Sequence, residues 1–164
     1  MRLQFTNGAL ISNGYIKNGG WENRLNEFPI LDIDYCRVRH SKLWKEFRLM
    51  FYSKNDKYEI PLATNNLNKA YDNFWELLRY VLNSYIDMFC VVNNELCINL
   101  TTIKQIMPNE TDGGITLHFG NDSLLNIDKE FSHHVIKEYT NYHKMIKGLK
   151  LSEKQQKNEV EYNA

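Results

Sequence analysis

Residues 3–11, LQFTNGALI, and residues 90–98, CVVNNELCI, read alike: an alternating apolar segment, a tight Asn-led turn, and a second alternating segment. In the first, Leu3 and Phe5 alternate with polar neighbours. Asn7-Gly8 then supplies the positive backbone angles of a type I′ turn, and Ala9 and Ile11 resume the alternation. Each hairpin leads into more strand-like stretches and then into one amphipathic helix. The reading that follows is an α+β protein built from two related antiparallel β-meander plus C-terminal helix units packed as one body.

In the first half, 28–40 (FPILDIDYCRVRH) and 46–53 (EFRLMFYS) read as strands joined by a turn at 41–45, and Lys57 to Leu62 follows the turn signal Lys54-Asn55-Asp56. From Leu67 the period changes. Leu67, Ala70, Phe74, Leu77, Leu78, Val81, Leu82 and Tyr85 recur at three- and four-residue spacing, along one stripe of a helix that Asn65 or Asn66 can cap.

The second half runs in the same order. A hairpin turns at Asn93-Asn94, and Thr102 to Met107 pairs with Gly114 to Phe119 around Asp112-Gly113. Ser123 to Ile127 follows Gly120-Asn121-Asp122, and Phe131, Val135, Tyr139, Tyr142 and Ile146 form a helical stripe behind Asp128. Matching turns lie closer together at the second pair than at the first, which places an insertion in the first half. The Gly/Asn-rich stretch 12–27 (SNGYIKNGGWENRLNE) is expected to be that inserted loop, with some strand near Tyr15-Ile16. The expected divisions are thus 1–86, 87–149, and a polar tail at 150–164 (KLSEKQQKNEVEYNA) that is expected to be disordered or frayed helix.

A chain of 164 residues holds one ordinary core, or two small lobes that share an interface. Lys plus Arg and Asp plus Glu number 20 each, so overall charge gives no adhesion to nucleic acid or membrane, and only a local patch would provide it. Cys36, Cys90 and Cys97 form no CxxC pair, which argues against a disulfide scaffold or structural zinc and fits a reducing cytoplasm. No signal-peptide core opens the sequence, and no apolar run reaches the length of a membrane span. Frequent Asn, Lys, Ile and Tyr fit an AT-rich gene of the kind carried by low-GC bacteria, their phages and plasmids.

The run ILDIDYCRVRH, its partner EFRLMFYS, the short strand KYEIPL and the helix from Leu67 to Ser84 together resemble a bacterial PH-like domain. In that family a curved meander is capped by a C-terminal helix, and binding through hairpins at the open end is what the resemblance implies. The second half, with CINLTTIKQIMPN, GITLHFGNDSLLNID and a final helix, resembles the same family loosely and is also similar to LytTR-type DNA-binding domains. The resemblance informs fold before function.

The candidate binding residues fall in two places. Arg37, Arg39, His40, Lys42, Lys45 and Arg48 cluster around one hairpin with Trp44 near its tip, opposed locally only by Glu46. An aromatic tip ringed by cations suits an acidic protein surface, a phospholipid headgroup or a nucleic-acid backbone; a solvated strand face with Trp44 folded onto the core is the plain alternative. The stretch 12–27 adds Tyr15, Trp21 and Arg24, residue types common in binding hot spots, although Trp21 also suits the cover of a sheet edge.

Chemistry has no comparable candidate. His133, His134, Glu138 and His143 share the final helix, with His118 the nearest second-element ligand, and their spacing demands no metal; Asp32 and Asp34 alone do not make a nuclease site. No Gly-rich phosphate loop or nucleophile elbow occurs. A non-enzymatic protein without cofactor is therefore expected. It would be a small cytoplasmic adaptor or inhibitor that engages another protein through Tyr15, Trp21, Arg24, Arg37, Arg39, Lys42, Trp44, Lys45 and Arg48. A LytTR-like DNA regulator and a phospholipid-headgroup binder are the alternatives.

Overall fold

A computed structural model describes residues 3–6, 8–85, 87–120 and 123–163, without the side chains of Leu3, Phe5, Thr6, Tyr80, Val81, Leu82, Ser84 and residues 150–163. The expected turn residues Asn7, Asn121 and Asp122, the Val81 and Leu82 positions of the helical stripe, and the boundary at Ile86 lie outside that description. The chain runs β1 (Leu3–Thr6), β2 (Ala9–Lys17), β3 (Gly20–Pro29), a short 3-10 turn (Ile30–Asp32), β4 (Ile33–Ser41), β5 (Glu46–Ser53), β6 (Asp56–Pro61) and α1 (Leu67–Tyr85). It continues through β7 (Phe89–Asn93), β8 (Leu96–Asn99), β9 (Gln105–Pro108), β10 (Ile115–Gly120), β11 (Ser123–Ile127) and α2 (Lys129–Asn163). The fold is α+β, with antiparallel pairing throughout.

Eight strands form a large sheet in the order β1-β2-β6-β5-β4-β8-β7, with β3 alongside β2, and β11-β10-β9 form a small one. The segment 12–27 is not a loop. It makes most of a long β2–β3 hairpin, in register from Ala9↔Pro29 to Lys17↔Gly20, closed by Asn18 and Gly19 at φ 48° and 88°. The alternation is hidden because a bulge at Gly14 (φ 96°) shifts its phase: Leu10 and Ser12 are buried before it, Tyr15 after it. Opposite β3, the other edge of β2 is divided between β1, which pairs with 9–12, and β6, which pairs with Ile16 and Lys17.

The large sheet has an inner and an outer face. On the inner face Cys36, Val38, Leu49, Phe51, Tyr58 and Ile60 pack against Ala70, Phe74, Leu77 and Leu78 of α1. Asn66 caps that helix, its Oδ1 accepting from the amides of Asn68 (2.9 Å) and Lys69 (3.2 Å). Over the outer face at β4, β8 and β7, a second core joins Tyr35, Cys90, Leu96 and Ile98 to Ile115, Leu117, Phe119, Leu125 and Ile127 of the small sheet and Val135 of α2. Phe131, Tyr139 and Tyr142 of the expected helical stripe pack against this core.

The two halves therefore do not pair alike. β7 and β8, expected to open a second unit, extend the first sheet through Tyr35↔Ile98, Cys36↔Cys97 and Arg37↔Leu96. That strand is buried on both faces: Leu96, Cys97, Ile98 and Asn99 are all shielded. Asn99 is its polar anchor. Its amide donates to the carbonyls of Leu31 (3.0 Å) and Ile33 (2.9 Å), and its Oδ1 accepts from the amide and hydroxyl of Thr101. The cysteines are free and buried; burial pushes the Cys90 thiol up to about 12, while a hydrogen bond to Cys36 and burial raise that of Cys97. They are inert packing groups. The polar stretch from 150, expected to be disordered or frayed helix, continues α2 to Asn163. No helix among the described residues is long and apolar enough to cross a membrane.

Candidate functional site: two clefts on the outer face

The small sheet covers only part of the outer face, which leaves two clefts with different chemistry. The first, of about 450 Å³, lies between β4–β8 and the entry to α2, and is lined by Arg37, Arg39, Asn93, Glu95, Asn126 and Asp128, with Phe131 and Leu96 among its apolar walls. Side chains at alternate positions of β4 share a face, so Tyr35, Arg37 and Arg39 point outward together. Burial first, and Arg39 second, push the Arg37 pKa down, and its Nε has no hydrogen-bond partner among the described residues. Glu95, in the same cleft, acts on Arg37 electrostatically and accepts from the Tyr71 hydroxyl of α1 at 2.7 Å. Neither Arg37 nor Arg39 has an ion-pair partner among the described residues.

Beyond Arg39 the β4–β5 turn projects Lys42, Leu43, Trp44 and Lys45 into solvent, with Trp44 65% and Leu43 81% exposed. Lys45 sits at φ 50°, and the Trp44 amide donates to Ser41 Oγ at 3.3 Å. Trp44 does not fold onto the core.

The second cleft, of about 520 Å³, brings Trp21 and Trp44 together although they come from different hairpins. Ile16, Gly19 and Pro61 complete its walls, and Glu46, Arg48 and Glu59 lie in it. Arg48 is buried between the carboxylates, its Nε 3.3 Å from Glu46 and one terminal nitrogen 3.7 Å from Glu59. It is thus a buried structural cation and not part of an exposed basic ring. Glu59 comes beside Arg48 through the cross-strand register of the β5–β6 hairpin, Arg48↔Pro61 and Met50↔Glu59, whereas Glu46, two residues before Arg48 on the same face, is visible from strand alternation alone.

The remaining candidates part company. Tyr15 is fully buried, against Phe28 (ring centroids 5.3 Å apart) and Tyr58 (5.8 Å), so it cannot touch a partner. The Gly14 bulge turns it inward, and its hydroxyl accepts from Arg24 Nε (3.0 Å) and Asn26 (3.3 Å). Arg24 is exposed but lines neither cleft. His40 binds Asn65 near the start of α1 (2.8 Å). Among the described residues no three metal-type ligands gather; His134 instead meets the Val91 carbonyl at 3.2 Å. Asp32 pairs with Lys54 (3.4 Å), while burial raises the pKa of Asp34 to about 6, tempered by a hydrogen bond with Thr102.

No family model and no curated protein matches this chain. Among solved structures, the LytTr DNA-binding domain of a putative methyl-accepting/DNA response regulator from Bacillus cereus is similar with a TM-score of 0.50 and 12% identity, over 81% of this chain and 97% of that one. At that identity the likeness is one of fold. It falls on one of the two families the sequence resembles, and it takes in both halves of the chain.

Proposed function

We propose that this protein is a LytTR-like nucleic-acid-binding module whose β4–β5 hairpin meets duplex phosphates. The observation that carries the reading is the fold likeness spanning nearly all of a DNA-binding domain. The exposed, unpaired Arg39 and the cations Lys42 and Lys45 at the hairpin tip support it, since they can neutralise phosphates without first giving up a partner. With formal net charge zero, the attraction is local and falls steeply with salt. Anisotropy of a labelled random duplex, measured from about 50 to about 200 mM salt, tests this: three phosphate contacts give a log–log slope of about −3. No binding at the lowest salt would remove the reading.

A second reading, protein binding by an adaptor or inhibitor, is favoured by the convergence of Trp21 and Trp44 on one cleft. If a Trp21→Ala/Trp44→Ala double variant retained every protein partner of the wild type, this reading would fail.

A further inference from the structure

We propose that the Trp21–Trp44 cleft is a binding site for a cationic side chain, an arginine or lysine presented by a protein partner. The inference deepens the protein-binding reading and is independent of the nucleic-acid one. Two observations carry it: the charge of the cleft and the character of its walls.

Glu46 and Glu59 share one guanidinium, that of Arg48, whose side chain is only 10% exposed. The three groups leave one negative charge in excess beneath the opening. Among the described residues no other charged side chain lines the cleft; Arg39, opposite Arg48 in register, and Lys45 lie outside it. The walls are two indoles, 51% and 65% exposed, with Ile16 and Pro61. Indole faces attract cations through their quadrupole, and apolar walls accommodate the methylene stem of Arg or Lys while the charged head reaches the carboxylates. A phosphate-bearing ligand meets its own sign of charge there and is repelled. A basic segment is therefore the complementary partner.

The test titrates the full chain with N-acetyl-arginine amide, with the uncharged N-acetyl-norleucine amide, and with deoxyadenosine monophosphate. The indole N–H NMR signals of Trp21 and Trp44 are followed, with Trp75 of α1, on the opposite side of the sheet, as control. The arginine amide is expected to shift Trp21 and Trp44 saturably and leave Trp75 in place, with norleucine amide at least about tenfold weaker. Glu59→Gln should weaken the arginine amide by about threefold or more while spectral dispersion is kept; Glu46→Gln is the second variant if that one unfolds. Equal binding of norleucine amide would overturn the cationic assignment and leave plain apolar docking. Preferential binding of the nucleotide would replace it with base stacking, and no shift with any of the three would abolish the site.

Discussion

The two clefts on the outer face of the large sheet treat arginine in opposite ways. Arg48 is buried and held by two carboxylates, so its charge is neutralised within the fold. Arg37 and Arg39, on the neighbouring strand and facing the same way, have no such partner among the described residues, and Arg39 sits directly opposite Arg48 in register. The difference teaches that a run of basic residues has no fixed meaning until its cross-strand neighbours are known. The cations clustered in the sequence around this hairpin divide into a structural member, a solvent-exposed hairpin group and a cleft group.

Changes that act on one side only separate these roles. The largest effect is expected from reversing the exposed charges: Arg39→Glu/Lys42→Glu/Lys45→Glu should lower duplex affinity about hundredfold at low salt and flatten the salt slope by about three. Circular dichroism should show an unchanged fold. Next comes the strand that carries the first cleft. Asn99→Ala removes the donor to the part-buried carbonyl of Leu31 and the buried one of Ile33, and should cost about 2–3 kcal/mol in urea unfolding.

Asp34 gives a smaller, pH-dependent effect. Burial raises its folded pKa to about 6, above the ordinary carboxylate value, so the folded chain holds a proton that the unfolded chain releases. Stability from this group is fully present below the ordinary value and is lost as pH rises through about 6. Asp34→Asn should therefore stabilise by about 1–2 kcal/mol at alkaline pH and have little effect in acid, as read from urea midpoints. Smallest of all, Trp21→Ala/Trp44→Ala removes exposed rings and should change stability by no more than about 0.5 kcal/mol. A larger loss in thermal unfolding would mean that the indoles hold the two hairpins together.

The two helices were legible because Ala70, Phe74, Leu77 and Leu78, and later Phe131, Val135 and Tyr139, recur with helical period, and Asn66 marks a start. The turns at Lys54-Asn55 and Gly113 were legible from residue type, and their φ values are positive. The β2–β3 hairpin is hidden by one irregularity: between Asn13↔Leu25 and Tyr15↔Glu22 a single residue of β2, Gly14, faces two of β3, and the buried positions of β2 shift from Leu10 and Ser12 to Tyr15. The attachment of β7–β8 to β4 had only a faint signal, the continuous burial of Leu96 to Asn99, because local patterning does not record which edge a hairpin will join. Of the candidate site, Trp21, Trp44, Arg39, Lys42 and Lys45 stand out in the sequence by residue type, and all five side chains are exposed. Tyr15 and Arg48 differ from the expectation: the phase shift at Gly14 turns Tyr15 into the core, and Glu46 and Glu59 bury Arg48 on the outer face.

A nascent chain that has delivered β1 through β6 and α1 from the ribosome still presents β4 with one unsatisfied edge, because its neighbour β8 is yet to be synthesised. The N-terminal portion must wait, sticky and incomplete, until residue 99 emerges. A chain cut after the first helix would therefore leave that edge of β4 bare, and the β7–β8 segment supplied separately would be its natural cover.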